Sequence, residues 1–167
     1  MRGSLLIEEQ TKILKFMNEM TGHVDMNEFA KKTDLIPIQI GENMQVLAKQ
    51  GFLRKVGGGF SITEKGKRAL KAVTSLPVNL RFNFYFAVGH PMGVSAGTVK
   101  EFHALVSKLN IVSIEFHLAR GDFENWFRTA VDDVALADEL AKIKKTELTG
   151  EDLRKAIVKA LEVKYSL

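Results

Sequence analysis

Three ionisable side chains that together could form a chemical site lie within six residues of one another in the second half of the chain. They are His117, Arg120 and Asp122, and the only tryptophan, Trp126, follows four residues later. Histidine can serve as an acid, a base or a metal ligand near neutral pH, and a neighbouring carboxylate can orient its ring. One interpretation is therefore a small enzyme or ligand sensor centred on His117, Arg120 and Asp122.

The same residues also have a purely structural interpretation, which we favour. Asp122 stands where the N-cap of a helix beginning at Phe123 is expected, and Arg120 can pair with Asp122 or Glu124. No second carboxylate is placed for a hydrolase pair, and the four histidines lack the close spacing of metal ligands. We therefore predict no enzyme, no metal site and no cofactor, and any small-molecule ligand stays undefined.

A glycine-rich segment, residues 89–97, precedes a helix that Thr98 and Glu101 would open as a capping box. The junction of such a loop with a helix N-terminus can bind an anion. The segment lacks the Gly-Lys-Ser/Thr ending of a phosphate loop and the spacing of a dinucleotide fingerprint. We predict an ordinary loop before a capped helix.

The elements that position these residues are predicted to form a small α+β domain over residues 77–167. Alternation of aromatic and polar residues predicts a strand over Leu80–Val88, with one face made by every second residue from Leu80. A second strand is predicted over Ile111–Leu118. The predicted helices are Thr98–Leu109, Phe123–Val131, Ala135–Lys145 and Glu151–Val163.

The first half of the chain predicts three helices, a β-hairpin and a fourth helix. The expected elements are 5–20, Met26–Thr33, Pro37–Gly51, Phe52–Val56 and Phe60–Ile62, followed by a helix that Thr63 caps. Asp25 is the expected N-cap of the second helix. The segment Ser75–Pro77 is expected to separate this domain, residues 1–76, from the domain over residues 77–167.

This order of elements resembles the winged helix-turn-helix domain of archaeal and bacterial transcription regulators. The likeness covers about residues 5–74. It is carried by the short turn between the second and third helices and by the segment Gly51–Gly66, in which Phe60, Ile62, Thr63 and Gly66 follow the family's hairpin-exit pattern. The resemblance implies duplex DNA binding, with the third helix offered to the major groove.

The second half resembles an uncharacterised domain family found mainly in archaea. The likeness spans about residues 80–145. It is carried by an aromatic strand, a glycine loop, a Phe-His-x-x-Arg-Gly-Asp-Phe-x-x-Trp segment and an acidic turn before Leu-Ala, here Phe82–Phe86, Gly89–Gly93, Phe116–Trp126 and Asp132–Ala137. This resemblance implies a domain boundary and no particular chemistry.

The distribution of charge favours the first half as the part that binds DNA. The chain has a net charge of +4, all of it within residues 1–79, because residues 80–167 carry equal numbers of acids and bases. Gln39 and Asn43 lie on the outward face of the third helix and can pair with adenine. Lys49 lies on the same outward face. The expected phosphate contacts are Lys31, Lys32, Arg54, Lys55, Lys65 and Lys67.

We therefore predict a cytoplasmic DNA-binding protein, either a transcription regulator or a chromatin-associated factor. A homodimer is expected because helix-turn-helix proteins read two half-sites, and the second domain would dimerise, sense a ligand or recruit a partner. The longest apolar runs fall far short of the roughly 20 residues that cross a bilayer, so no membrane partner is expected. Two alternatives remain: an adaptor whose winged helix binds protein, and the small enzyme or sensor centred on His117.

Overall fold

The computed structural model describes residues 6–167, which form an α+β fold of nine α-helices and two antiparallel two-stranded sheets. Two compact units divide the chain. One extends to Lys71 and includes Tyr165–Leu167, and the other comprises Ala72–Lys164. Leu5, where the first helix was predicted to begin, lies outside the described residues. Among the helices of residues 6–167, none combines the length and the apolar character that crossing a membrane requires.

The first unit has the order of elements that the sequence predicts, which is the arrangement of a winged helix. Its hairpin pairs from Leu53 opposite Ile62 to Val56 opposite Gly59. In chain order the elements are α1 Glu8–Glu19, α2 Met26–Thr33, α3 Pro37–Lys49, β1 Leu53–Val56, β2 Gly59–Ile62 and α4 Glu64–Val73.

Side-chain caps fix the ends of these helices where the sequence placed them. The carboxylate of Asp25 accepts the N–H of Glu28 at 2.9 Å at the start of α2. The hydroxyl of Thr63 accepts the N–H of Gly66 at 3.0 Å at the start of α4. The same hydroxyl donates to the carbonyl oxygen of Gly51 at 2.7 Å, so it also ties the exit of the hairpin to the end of α3.

The turn between α2 and α3 is short because Asp34 adopts a left-handed conformation, with φ of 56°. Aspartate is one of the residues that tolerate this conformation. The turn buries Leu35 and places Pro37 at the first position of α3, where its missing N–H costs nothing. The core of the unit is built from the inward faces of α1, α2 and α3 and from the residue before β1, namely Ile13, Leu14, Phe29, Ile40, Leu47 and Phe52.

The second unit begins with a short 3₁₀ helix at Val78–Leu80 and a β-hairpin, and helices follow. The strands are β3 Phe82–Ala87 and β4 His90–Ala96. The helices are α5 Val99–Val106, α6 Ile111–Arg120, α7 Asp122–Thr129, α8 Val134–Lys144 and α9 Gly150–Tyr165.

The predicted strand Ile111–Leu118 is wrong, because this segment is helix α6. The carboxamide of Asn110 accepts the N–H of Val112 at 2.9 Å and opens the helix. The buried residues Ser113, Ile114, His117 and Leu118 then fall on one helical face, with spacings of three and four. The sequence alternation predicted a strand because the β-branched residues of this segment suit one. The Asn110 cap and the spacing of the buried residues favour a helix instead.

The predicted loop over residues 89–97 is also wrong, because most of it forms β4. This strand pairs with β3 from Phe82 opposite Ala96 to Ala87 opposite His90, with breaks in register around Tyr85. The predicted single apolar face of β3 holds only for Phe82 and its neighbour Phe84, which are buried. Phe86 and Val88, predicted on the same face, are 42% and 72% exposed.

Several helix ends also differ from the prediction, including that of α9, which ends at Tyr165 rather than Val163. Thr98 does cap α5, since its hydroxyl accepts the N–H of Glu101 at 3.0 Å, but the helix ends at Val106 rather than Leu109. Helix α7 ends at Thr129 rather than Val131. Its N-cap is Gly121 and not Asp122, so the carboxylate expected to cap the helix is free for other contacts.

Aromatic rings from several elements make the core of the second unit. Phe82 of β3 packs edge-on against Phe102 of α5 and Trp126 of α7, with ring centroids 5.5 and 5.7 Å apart. Phe102 also stacks on Trp126 at 5.1 Å. The carbonyl oxygen of Leu80 accepts the indole N–H of Trp126 at 2.7 Å, so a hydrogen bond and the stacked Phe102 ring together hold the indole in place.

Candidate functional site

The junction of α6 and α7 brings together the three residues that the sequence singled out. Gly121 is both the C-cap of α6 and the N-cap of α7, and its φ of 75° is one that glycine adopts without strain. The tight corner places Oδ2 of Asp122 at 2.8 Å from Nδ1 of His117. The same oxygen accepts Nε–H of Arg120 at 3.2 Å.

The second ring nitrogen of His117 is also engaged. Nε2 accepts the backbone N–H of Tyr85 at 2.9 Å, at the point where the register between β3 and β4 breaks. Because Nε2 accepts, the ring must donate from Nδ1, which is the hydrogen that Asp122 receives. His117 therefore joins β3 to the corner between α6 and α7.

Burial keeps His117 in its neutral form. The residue is only 3% exposed, and loss of solvent lowers the pKa of His117 below its usual value. The hydrogen bond and charge of Asp122 act in the opposite direction and raise this pKa, but burial is the larger cause. A neutral ring with both nitrogens in hydrogen bonds orients its neighbours, and it has no free atom with which to accept a proton.

A pocket of about 490 Å³ opens beside this cluster. His117, Arg120, Asp122 and Trp126 all line it, so the structure brings together every member of the predicted cluster. The opposite wall comes from the 3₁₀ helix and β3, which contribute Asn79, Asn83 and Tyr85. Its volume lies in the range of about 300–1,000 Å³ that is usual for small-molecule sites.

No group of three or more His, Asp or Glu residues within residues 6–167 is arranged to hold a metal ion. The glycine-rich segment that could have bound an anion at a helix N-terminus is used differently. The N–H of Gly97 donates to the carboxylate of Glu101 at 2.6 Å, so the chain's own acid occupies this position.

The residues predicted to bind DNA divide into two groups. Five basic side chains are exposed and form no ion pair or hydrogen bond within the described part of the chain. They lie at the end of α2, at the end of α3 and on β1, namely Lys31, Lys32, Lys49, Arg54 and Lys55.

The other predicted DNA contacts are engaged within the protein. Nζ of Lys65 donates to the carbonyl oxygen of Gln50 at 2.7 Å, and Lys67 pairs with Glu64 at 3.0 Å. On α3, the amide of Gln39 accepts the N–H of Ile36 at 3.1 Å. Asn43 donates its amide to the carbonyl oxygen of Gln39 at 2.9 Å.

Residues 62–162 match a protein family described as a family of unknown function, DUF5752. The match covers more than half of the chain and includes every residue that lines the pocket. The chain belongs to DUF5752. Residues 80–145, which carry the resemblance noted above, lie within the match, whereas most of the winged helix precedes it. No curated protein and no solved structure matches the chain.

The sequence predicted the residues of one wall of the DUF5752 pocket and did not predict those of the other. Asn79, Asn83 and Tyr85 lie more than 30 residues before His117, and no local spacing connects them with it. Interpreting Ile111–Leu118 as a strand also hid the corner that directs His117 toward β3. The helix-end signals at Asn110 and Gly121 could have revealed that corner.

Proposed function

We propose that the protein binds duplex DNA through its first unit, as a transcription regulator or chromatin-associated factor. The observation that carries this proposal is the set of five unpaired basic side chains on the winged helix, Lys31, Lys32, Lys49, Arg54 and Lys55. In a winged helix these positions lie beside the recognition helix or, for Lys49, at its end, where cations neutralise phosphates on either side of the groove. Helix α3 would enter the major groove, and the wing would contact the backbone.

The surface of α3 favours weak selectivity for sequence. Gln39 and Asn43 would have to exchange their own hydrogen bonds for bonds to bases. The exposed carboxylate of Glu42 would repel phosphate, whereas the exposed side chain of Ile38 could contact a thymine methyl group. We therefore propose that the shape and charge of the duplex contribute more to binding than a sharply defined operator does.

A salt titration of binding to a mixed-sequence duplex tests this function. Fluorescence anisotropy should give an affinity that falls as the salt concentration rises. The slope of log K against log salt concentration should become less steep by about 0.9 for each phosphate contact removed. Arg54→Gln with Lys55→Gln should therefore weaken binding and reduce the slope by up to about 2. Lys67→Gln is the matched control, because Lys67 is already paired with Glu64.

Undetectable binding at low salt by a folded protein, or binding with no salt dependence, would refute the DNA proposal. The adaptor role would then be favoured by a specific feature of α3. Ile36 and Ile38 are 58% and 65% exposed at the start of this helix, a composition that suits contact with another protein.

We propose that the DNA-binding form is a homodimer in the cytoplasm. Two copies are expected because helix-turn-helix proteins read paired half-sites about one turn of the duplex apart. Light scattering at micromolar concentration, with and without a duplex carrying two half-sites, tests the dimer. A single copy under both conditions would contradict it.

We also propose that the second unit binds a small molecule. This second function is favoured by the convergence of His117, Arg120, Asp122 and Trp126 on one pocket of about 490 Å³. We propose a binding role rather than a catalytic one, since both ring nitrogens of His117 are already in hydrogen bonds. Quenching or enhancement of the fluorescence of Trp126, the only tryptophan, is the direct measurement.

A further inference from the structure

The polar groups around the pocket differ in whether the protein itself satisfies them. Both nitrogens of His117, the indole N–H of Trp126 and Nε–H of Arg120 have partners within the second unit. The side-chain amides of Asn79, Asn83 and Asn125 have none among the described residues. The Tyr85 hydroxyl and Oδ1 of Asp122 likewise have no partner there, so these five groups, together with the Nη groups of Arg120, are available to a ligand.

The charges at the pocket are already balanced. Arg120 pairs with Asp122 at 3.2 Å, and Arg81, which also lines the pocket, pairs with Glu101 at 3.4 Å. His117 is held neutral by burial. A phosphate, a carboxylate or a cation would have to compete with one of these pairs, so the pocket favours a ligand without net charge.

The aromatic rings do not form a slot for a flat heterocycle. One face of Trp126 is covered by Phe102, whose ring lies 5.1 Å away at an interplanar angle of 22°. The guanidinium of Arg120 lies over the Phe116 ring at 5.2 Å. Trp126 lines the pocket but is only 6% exposed, so a small part of its ring is available to a ligand. So small an apolar surface suits contact with the C–H groups of a saturated ring better than stacking of a flat one.

We propose that this pocket binds an uncharged sugar, a monosaccharide or a disaccharide. Each of the three asparagine amides both donates and accepts hydrogen bonds, which matches pairs of neighbouring sugar hydroxyl groups. Oδ1 of Asp122 can accept a charge-assisted hydrogen bond from a further hydroxyl group. The proposal rests on the ligand-binding function of the second unit, and it adds the chemical class of the ligand.

Titration of the full chain with D-glucose, D-mannose and maltose tests the class. The single indole N–H signal in a nitrogen–proton NMR spectrum reports on Trp126, and its fluorescence gives a second measurement. A sugar of the right configuration should shift both signals saturably, with a Kd in the millimolar range that is expected of so small a ligand. Adenosine and citrate serve as uncharged heterocyclic and anionic comparisons.

Asn83→Ala and Asn125→Ala should each weaken sugar binding at least tenfold without unfolding the protein, because both residues are exposed. Asn18→Ala, an exposed asparagine of α1 in the other unit, is the matched control and should bind as the unmodified chain does.

The possible outcomes distinguish a wrong ligand class from the absence of a ligand site. Saturable binding of adenosine or citrate without binding of any sugar would overturn the sugar class and leave a ligand site. No response of Trp126 to any of the five compounds would overturn both. Sugar binding that neither pocket variant weakens would place the sugar elsewhere and overturn the proposal as well.

Discussion

Nδ1 of His117 lies 2.8 Å from Oδ2 of Asp122, although the two residues belong to different helices. A single residue, Gly121, caps both helices and makes this approach possible. The bond fixes the tautomer of the imidazole, which leaves Nε2 to accept the N–H of Tyr85. One neutral side chain thus connects a strand and two helices around the pocket.

The free energy of unfolding is expected to fall in acid because of His117. Burial lowers the pKa of His117 in the folded protein, so the unfolded chain binds this proton more tightly. The contribution of neutral His117 to the free energy of unfolding is therefore fully present above the unfolded pKa of about 6.5. It is lost as pH falls from that value toward the lowered pKa of the folded state. Urea unfolding between about pH 8 and about pH 5 measures the loss.

His117→Gln provides the comparison for this pH dependence. At neutral pH the variant should be destabilised by about 1–3 kcal/mol, because the part-buried N–H of Tyr85 loses its acceptor. It should also lose stability less steeply in acid than the unmodified protein does. His23→Gln, at an exposed position, is the control. Equal pH dependence in the unmodified protein and His117→Gln would contradict the assignment.

Asp122→Asn is expected to lower the pKa of His117 further. The carboxylate raises this pKa through its hydrogen bond and its charge, while the nearby Arg120 lowers it. Without the carboxylate, burial and Arg120 act unopposed, and the loss of stability in acid becomes larger. An NMR titration of the imidazole C–H signals measures the shift, with Asp138→Asn as a control outside the pocket. An unchanged or raised pKa would refute the prediction.

The first unit was predictable because its signals are local. Asp25, Pro37 and Thr63 each mark a helix end within a few residues of the groups they satisfy. A cap acts over three residues of sequence, so it can be recognised without knowing the tertiary structure. The glycines between β1 and β2 are equally local signals for the hairpin.

The second unit was harder to predict because its elements depend on packing. Residues 111–118 alternate as a strand would, but their burial follows helical spacing once α6 packs on β3. Residues 90–96 lack an apolar stripe and form a strand by pairing with β3. The cluster of His117, Arg120 and Asp122 was visible because it is local, whereas its partner Tyr85 comes from a distant strand.

Ser113→Ala is expected to leave stability unchanged or to increase it by about 1 kcal/mol. The Ser113 hydroxyl is fully buried on α6 and has no hydrogen-bond partner within the described residues. Burial of an unsatisfied hydroxyl is costly, and alanine also favours the helix more than serine does. Urea unfolding provides the measurement, with Ser107→Ala as the control, since Ser107 donates to the His103 carbonyl oxygen at 2.7 Å. Clear destabilisation by Ser113→Ala would indicate that this hydroxyl has a partner.

Gly66→Ala is expected to destabilise the winged helix by about 2 kcal/mol or more. A Cβ atom at Gly66 would overlap the carbonyl oxygen of Phe52 and the side chain of Ile62, where α4 passes close to the hairpin. Backbone cannot yield as the end of a flexible side chain can, so the strands or the helix must shift.

Gly41→Ala in α3 is the matched control, because a Cβ there meets nothing within 4 Å. That variant should be stabilised by about 0.5–1 kcal/mol, since alanine restricts the unfolded chain and favours the helix. Thermal unfolding of the two variants should therefore change in opposite directions. A Gly66→Ala protein as stable as the unmodified chain would mean that α4 and the hairpin are not in close contact at this point.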